Sequence, residues 1–421
     1  MTANGAVNPA NSAQFSDANK CDFYKWASQM FLWLTSPGAE GYVFNSLGFF
    51  DISPSVNGQR FFITNPGPTA PGKMASNNNT YAVHSTKPRV PEVIGEFGQA
   101  GSTNGVLIPQ AACSPTPCTS LVYYGVHVNN NYAVFATVLK EPLPVVPSFP
   151  TTTSVPARVF PKSTDTLMME LKTSWVDASI VNVADYLTIN ATVPKFIKVT
   201  DKKWTTSGTV TKKLALVGMH VVGTVKGHPE MVWATFEHKG NAPFDSYYYK
   251  NASDAVTKKP YSSAGNWTFM ATNGTKASAN IEMATVINDD IIATKGNTIS
   301  ASNTYIMNPW GSLPDSKNTK DVNNNTLIIS LNHSVLKQLK STDKRVNYIQ
   351  TGAVWTDGTI PTFNNIPDTP LIGSTHLANS TLETYKQKDN CFSCHSINNQ
   401  ASAGVGISHI FDALQPGGRL P

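Results

Sequence analysis

The sequence predicts a mainly β protein: a β-sandwich-like or β-rich α+β body with one N-terminal helix and a short helical segment near the C-terminus. Three observations predict it. Charged residues make up only 14% of the 421, well below the usual quarter. Asn, Thr, Ser, Gly and Pro take their place, a composition of turns and strands. Runs of β-branched and aromatic residues bounded by turn residues recur between residues 60 and 355, and helical spacing of apolar residues is confined to the two ends of the chain.

The elements follow in order. Residues 1–15 are polar and read as a disordered lead-in. Residues 21–34 (CDFYKWASQMFLWL) carry apolar residues at helical spacing and stop at Thr35-Ser36-Pro37-Gly38, which predicts a buried amphipathic helix. Strands are expected at 60–64, 120–128 and 132–139, the last two joined as a hairpin by Asn129-Asn130-Asn131. The proline-rich stretch 142–161 is the best internal boundary. Further strands are expected at 168–176, 195–199, 214–225 and 231–238, with a Gly-His-Pro turn at 227–229 between the last two. A loop-rich region spans 239–321, and strands are expected again at 327–331 and 348–355. Ser380-Thr381-Leu382-Glu383 has the form of a capping box, so a helix is expected from there to about Gln387. A short helix is expected within 407–414. The chain thus divides into a lead-in (1–15), a β-rich body (16–375, with a sub-boundary at 142–161) and a C-terminal segment (376–421).

That last segment holds the most informative residues. Cys391-Phe392-Ser393-Cys394-His395 is a C-x-x-C-H motif, the attachment signature of c-type haem. Two thiols at this spacing can add to the two vinyl groups of one porphyrin, and the adjoining imidazole can bind its iron. With so few cysteines and histidines, about one shuffled chain in a thousand would contain it. A closed zinc site wants four ligands, commonly from two such pairs, and there is no second C-x-x-C. Cys391, Cys394 and His395 are therefore the expected haem-binding residues, for one covalent haem. Only 26 residues follow His395, fewer than the ~40 a small independent core needs. The haem is therefore expected to be appended to, or wedged against, the larger body that precedes it.

The opposite iron ligand is open between His409, His376, a methionine such as Met283 or Met307, and no protein ligand. Two protein ligands suit electron transfer, whereas an open face admits small molecules. Catalysis would also need a distal acid or base. His220, His228, His238 and Glu237 are candidates, each more simply read as a core or surface group. A metal site built from Glu230, Glu237, His228 and His238 is disfavoured, because adjacent Glu237 and His238 would point to opposite faces of a strand. The aromatic run Tyr247-Tyr248-Tyr249 is a weak hint of a sugar-stacking surface.

Of the remaining cysteines, Cys113 and Cys118 bracket Ser114-Pro115-Thr116-Pro117 and are expected to form a local disulfide if the protein is exported. Cys21 is expected as a buried small hydrophobe. Residues 1–20 lack the apolar core of a signal peptide. Covalent haem attachment is completed outside the bacterial cytoplasm, so an exported precursor with its signal removed is expected, and a periplasmic or secreted location. The longest apolar run, at 30–34, is far short of the ~20 residues that span a bilayer. The net charge of +5 is spread along the chain, with no basic run to suggest nucleic acid. The expected partner is a redox protein.

Several segments resemble a family of exported bacterial proteins described as cytochrome c family proteins. They are Met169-Glu170-Leu171-Lys172 with Ser174-Trp175, and Leu216-Val217-Gly218-Met219-His220. The most distinctive is the run from Met231 to His238 followed by Asn241-Ala242-Pro243. Leu377-Ala378-Asn379 and Leu382-Glu383-Thr384-Tyr385 then run into the haem motif. The resemblance implies a β-rich body with one C-terminal haem-c motif and brings His220 and His238 closer to that site; it implies no particular reaction. The reading that follows is a monohaem electron-transfer protein. The alternatives are a haem enzyme of peroxidase or oxidase type, and a β-rich binding module with a structural or sensory haem.

Overall fold

The computed structural model describes residues 5–38, 41–46, 48–54, 60–64, 92–94, 96, 98, 100, 104–114, 118–139, 148–152, 165–294, 298–362, 370–397 and 404–414. Helix α1 (Lys20–Leu34) starts at a capping box in which Asn19 and Asp22 satisfy each other's amides. β1 (Pro37–Gly38) and β2 (Gly41–Tyr42) form a minor pair. β3 (Phe49–Ile52), β4 (Phe62–Thr64), β5 (Glu92–Val93), β6 (Gly105–Val106) and β7 (Tyr123–Asn129) lead to α2 (Asn130–Leu139). β8 (Met169–Asp177), β9 (Thr188–Thr200), β10 (Lys203–Val225) and β11 (His228–His238) follow. β12 (Tyr247–Lys250) and β13 (Val256–Lys259) make a separate hairpin, and β14 (Ala284–Ile287) and β15 (Asp290–Ala293) another. The chain continues through α3 (Thr319–Gln338), β16 (Tyr348–Trp355), β17 (Ile372–Gly373), α4 (Cys391–Cys394) and α5 (His409–Ala413).

The fold is mainly β. Its centre is one antiparallel path in the order β17-β16-β11-β10-β8-β7-β3-β4. β10 is 23 residues long. Its second half pairs with β8, and its first half leaves with β9 as an arm that also pairs with β15. The β10–β11 hairpin turns at Gly227, whose φ of +84° suits glycine.

The period-2 alternation of strand side chains gives the sheet two unlike faces. On one, Met219 and Val221 of β10, Val232, Ala234 and Phe236 of β11, and Met169, Leu171 and Trp175 of β8 join a single apolar core with α1. Phe31 stacks on Phe236 at 4.3 Å and Phe23 on Trp355 at 4.1 Å. The other face shows Glu170, Lys172 and Ser174 of β8, Gly218 and His220 of β10, and Trp233, Thr235 and Glu237 of β11. Residues 374–397 and 404–414 lie over it. α1 packs on the first face and α2 on the second, together with the covering segment, so one sheet layered with helices, the β-rich α+β alternative, describes the body.

Three expected elements differ. Residues 132–139 form helix α2, not a strand: Asn129 Oδ1 accepts the Tyr132 amide at 3.0 Å, so the asparagine run caps a helix instead of turning a hairpin. Residues 327–331 lie inside α3, where Val322, Asn325 and Ile328 are the buried stripe. β-branched propensity yielded to the 3.6-residue period. No helix runs from Ser380 to Gln387. Asn379 holds the cap instead, accepting the Thr381 and Leu382 amides while Glu383 Oε2 accepts its own amide at 2.8 Å. Ser380 turns to Glu237, and the chain proceeds in turns.

The stretch expected as a lead-in contains a 3-10 turn, Ser12–Gln14, with Ser12 bonded to Trp26 Nε1 and to the Lys226 amide. The boundary 142–161 lies largely outside the described residues. Cys113 and Cys118 form a disulfide, and Cys21 is half-buried and free. No helix among the described residues is long and apolar enough to cross a membrane.

Candidate functional site

Residues 379–383 are held on the sheet by a file of buried polar contacts. Thr381 Oγ1 meets Ser174 Oγ at 2.7 Å, Asn379 Nδ2 donates to Thr235 Oγ1 at 2.7 Å, and Tyr124 donates its hydroxyl to the Thr381 carbonyl. Ser380 gives its amide and hydroxyl to the Glu237 carboxylate. His220 Nε2 lies 2.7 Å from Glu383 Oε1. Gly218 makes this approach possible: a Cβ there would sit 2.4 Å from Thr381 Oγ1 and 2.6 Å from Ser174 Oγ.

Further along the same face the surroundings turn apolar, and the motif sits there. Asn390 opens α4 with a capping box to Ser393. Phe392 is fully buried among Trp233, Val222, Val405 and Ile407, and half-buried Cys391 packs against the same group. Both motif thiols are free. Burial pushes the Cys391 thiol up, with Glu383 adding to it.

His395 follows the helix, its ring 4.2 Å from Trp233. Its Nδ1 lies 3.0 Å from the Ile407 carbonyl. A carbonyl can only accept, so Nδ1 carries the proton and Nε2 keeps its lone pair, the arrangement metal-bound imidazoles use. Burial, then the neighbouring His409, holds this imidazole well below its ordinary range and thus neutral. Cys391, Cys394 and His395 therefore fit a covalent haem: two unpaired thiols in an apolar setting and an imidazole with the correct nitrogen free.

His409 is brought to His395, but face to face. The rings are 4.3 Å apart and 22° from parallel, and His409 Nε2 bonds to the Cys394 carbonyl. An iron held by both from opposite sides has no room in this arrangement. His376 is elsewhere, half-buried, with its amide on the Gly311 carbonyl and Nδ1 near Thr375. Among the described contacts none joins His376, Met283 or Met307 to the motif. Nor does a group of three metal-ligating residues occur among the described residues. His228 pairs with Glu230 at 2.8 Å and His238 stacks on Tyr186 at 3.7 Å. Glu237 points away from His238 into the covered face, as alternation requires.

Comparison of the chain with protein-family models, curated proteins and solved structures finds no match. The site has to be read from its own chemistry.

Sequence reasoning missed Glu170, Lys172, Trp233, Glu383 and Ser408 as members of the site. A signal existed for the first two, since Glu170 and Lys172 alternate with Met169 and Leu171 and mark one polar strand face. Glu383 shows how the groups oppose one another: burial works against its charge, yet His220, Lys172 and the Asn379 amide outweigh it and hold the carboxyl below its usual range. Glu237 goes the other way. Burial dominates its hydrogen bonds and lifts it to about 7, against an unfolded carboxyl near 4.5. The folded state therefore binds more protons than the unfolded chain between those values, and this contribution to stability is lost as pH rises from about 4.5 through 7. Glu237→Gln is expected to gain on the parent in urea unfolding as pH is raised from 5 to 8. Parallel stability curves would show that Glu237 is ionised throughout.

Proposed function

We propose that the protein is an exported monohaem c-type cytochrome-like protein that passes single electrons to or from a redox partner. The observation that carries this reading is the state of His395: Nδ1 is tied to the Ile407 carbonyl and Nε2 is left for iron, beside two free thiols at the C-x-x-C spacing. The resemblance to cytochrome c family proteins points the same way, and with it a periplasmic or secreted location. Bound haem would supply a one-electron iron couple in a covalent macrocycle. The chain's part is to anchor it through Cys391 and Cys394, fix the His395 ring against Trp233 and Ile407, and keep water from that side with Phe392, Val405 and Ile407.

One observation favours a haem enzyme as a second reading. The His220–Glu383 pair and Lys172 lie on the sheet face beside the motif, within electrostatic reach of His395, which is the chemistry a distal acid–base group needs. Optical spectra of protein matured with a haem-c system separate the two. Sharp reduced α and β bands that ignore CO are expected. A high-spin spectrum shifting with CO or peroxide would favour the enzyme, and the absence of a Soret band would overturn both.

A further inference from the structure

Glu170 stands on β8 between Val128 of β7 and Val222 of β10, buried beside the apolar cluster to which both valines belong. An ionisable group in such a place is costly unless it is partnered. Its partner is Ser408, which donates its hydroxyl to Glu170 Oε2 at 2.5 Å, and the Ser408 hydroxyl also meets the Tyr132 hydroxyl at 2.7 Å. Ser408 is the N-cap of α5 and directly follows Ile407, whose carbonyl accepts from His395 Nδ1. Two hydrogen bonds and one peptide link therefore join this carboxyl to the iron-binding imidazole.

We propose that Glu170 is a redox-linked proton site, taking up one proton when iron bound at His395 gains one electron and releasing it when the electron leaves. The inference rests on the haem reading above. The step balances: the electron comes from a one-electron donor, the proton from solvent, and the only bond formed is an O–H on Glu170. Adding negative charge at one buried centre raises the cost of a second one nearby, and protonation relieves it.

The groups facing Glu170 do not neutralise it by direct pairing. Lys172, two residues along β8, lies 5.8 Å from the Tyr124 ring and makes no ion pair among the described residues. Arg60 is taken by Glu96 at 2.6 Å. Tyr132 of α2 reaches Glu170 through the Ser408 hydroxyl, and the paired β7 and β10 neighbours are valines. Burial, against Ser408, Arg60 and Lys172, lifts the carboxyl to about 7, where small changes in nearby charge alter its occupancy.

The test is the haem midpoint potential of the loaded protein, measured by spectroelectrochemistry from pH 5 to 9. The reduction equilibrium is expected to fall by up to tenfold per pH unit, or 59 mV, in a window around neutrality, and to be flat on either side. Glu170→Gln is expected to abolish the slope. His409→Gln, which removes the exposed imidazole beside His395, is expected to keep it. Ser408→Ala deletes a bond that favours the charged carboxylate, so it should move the window to higher pH even if Glu170→Gln folds poorly. A flat profile in the parent, or a slope that survives in Glu170→Gln, overturns the proposal while leaving the haem reading intact. Absence of haem from the parent overturns the reading beneath it.

Discussion

A Cys391→Ser, Cys394→Ser double variant is expected to emerge from a haem-c maturation system with no haem that survives denaturation. The motif thiols are the free cysteines of the covering segment, and the disulfide at Cys113–Cys118 leaves neither of its sulfurs for a vinyl group. Each single serine variant should keep one thioether, which denaturing gels stained for haem would show as a weaker band. Replacing sulfur by oxygen at two half-buried positions costs the fold about 1 kcal/mol, and Phe392, which anchors α4, is untouched. Loss of the stain would thus report attachment and not unfolding, and near-ultraviolet circular dichroism of the variant checks this. Haem still bound to the denatured double variant would remove the motif from consideration.

Gly218→Val is expected to lower stability by about 4 kcal/mol, combining overpacking with the loss of buried hydrogen bonds. Thr381 Oγ1, Ser174 Oγ and Asn379 Oδ1 all lie within 3.0 Å of the position its Cβ would take. All three are short and fully buried, so none can swing aside as the end of a lysine could. The opposite face of β10 is filled by α1, so the strain has one outlet, which is to lift residues 379–381 from the sheet. Urea unfolding should show the loss, and limited proteolysis should cut within 374–395 in the variant at protease levels the parent resists. Gly38→Ala, whose nearest new contacts start at 3.5 Å, serves as the comparison. A Gly218→Val midpoint equal to that of the parent would mean the segment is not seated as described.

The β-rich class, α1, most strands of the central path and the local disulfide were legible in the chain because each rests on a short-range pattern. The failures share a cause. Residues 132–139 and 327–331 are β-branched and aromatic enough to read as strands, yet what decided them was a cap at Asn129 or Asn318 and the direction of the buried stripe, which only tertiary packing defines. Ser380 looked like a helix cap because its sequence context is right, but the Glu237 carboxylate, 143 residues away, competes for the same hydroxyl and wins. Cys391, Cys394 and His395 stand out from spacing alone as candidate haem-binding residues. Ile407 as the carbonyl that orients His395 could not, since a backbone acceptor leaves no trace in composition. Glu170 was visible as a polar residue in a strand, but its link to His395 passes through Ser408 and exists only once the chain has closed.

The partners of residues 374–397 and 404–414 include Tyr24, Tyr124, Tyr132, Glu170, Ser174, His220, Trp233, Thr235 and Glu237, on an N-terminal helix, a strand-following helix and four different strands. No two neighbouring elements of the chain offer that surface on their own. Closing loops of this length costs entropy that local contacts cannot repay beforehand, so the segment is expected to settle late, on a sheet already assembled. Until then Cys391–His395 is not packed against Trp233 and Ile407, and on the haem reading its thiols would be open to the maturation system. On the haem reading, attachment would come first and the docking that buries the motif second.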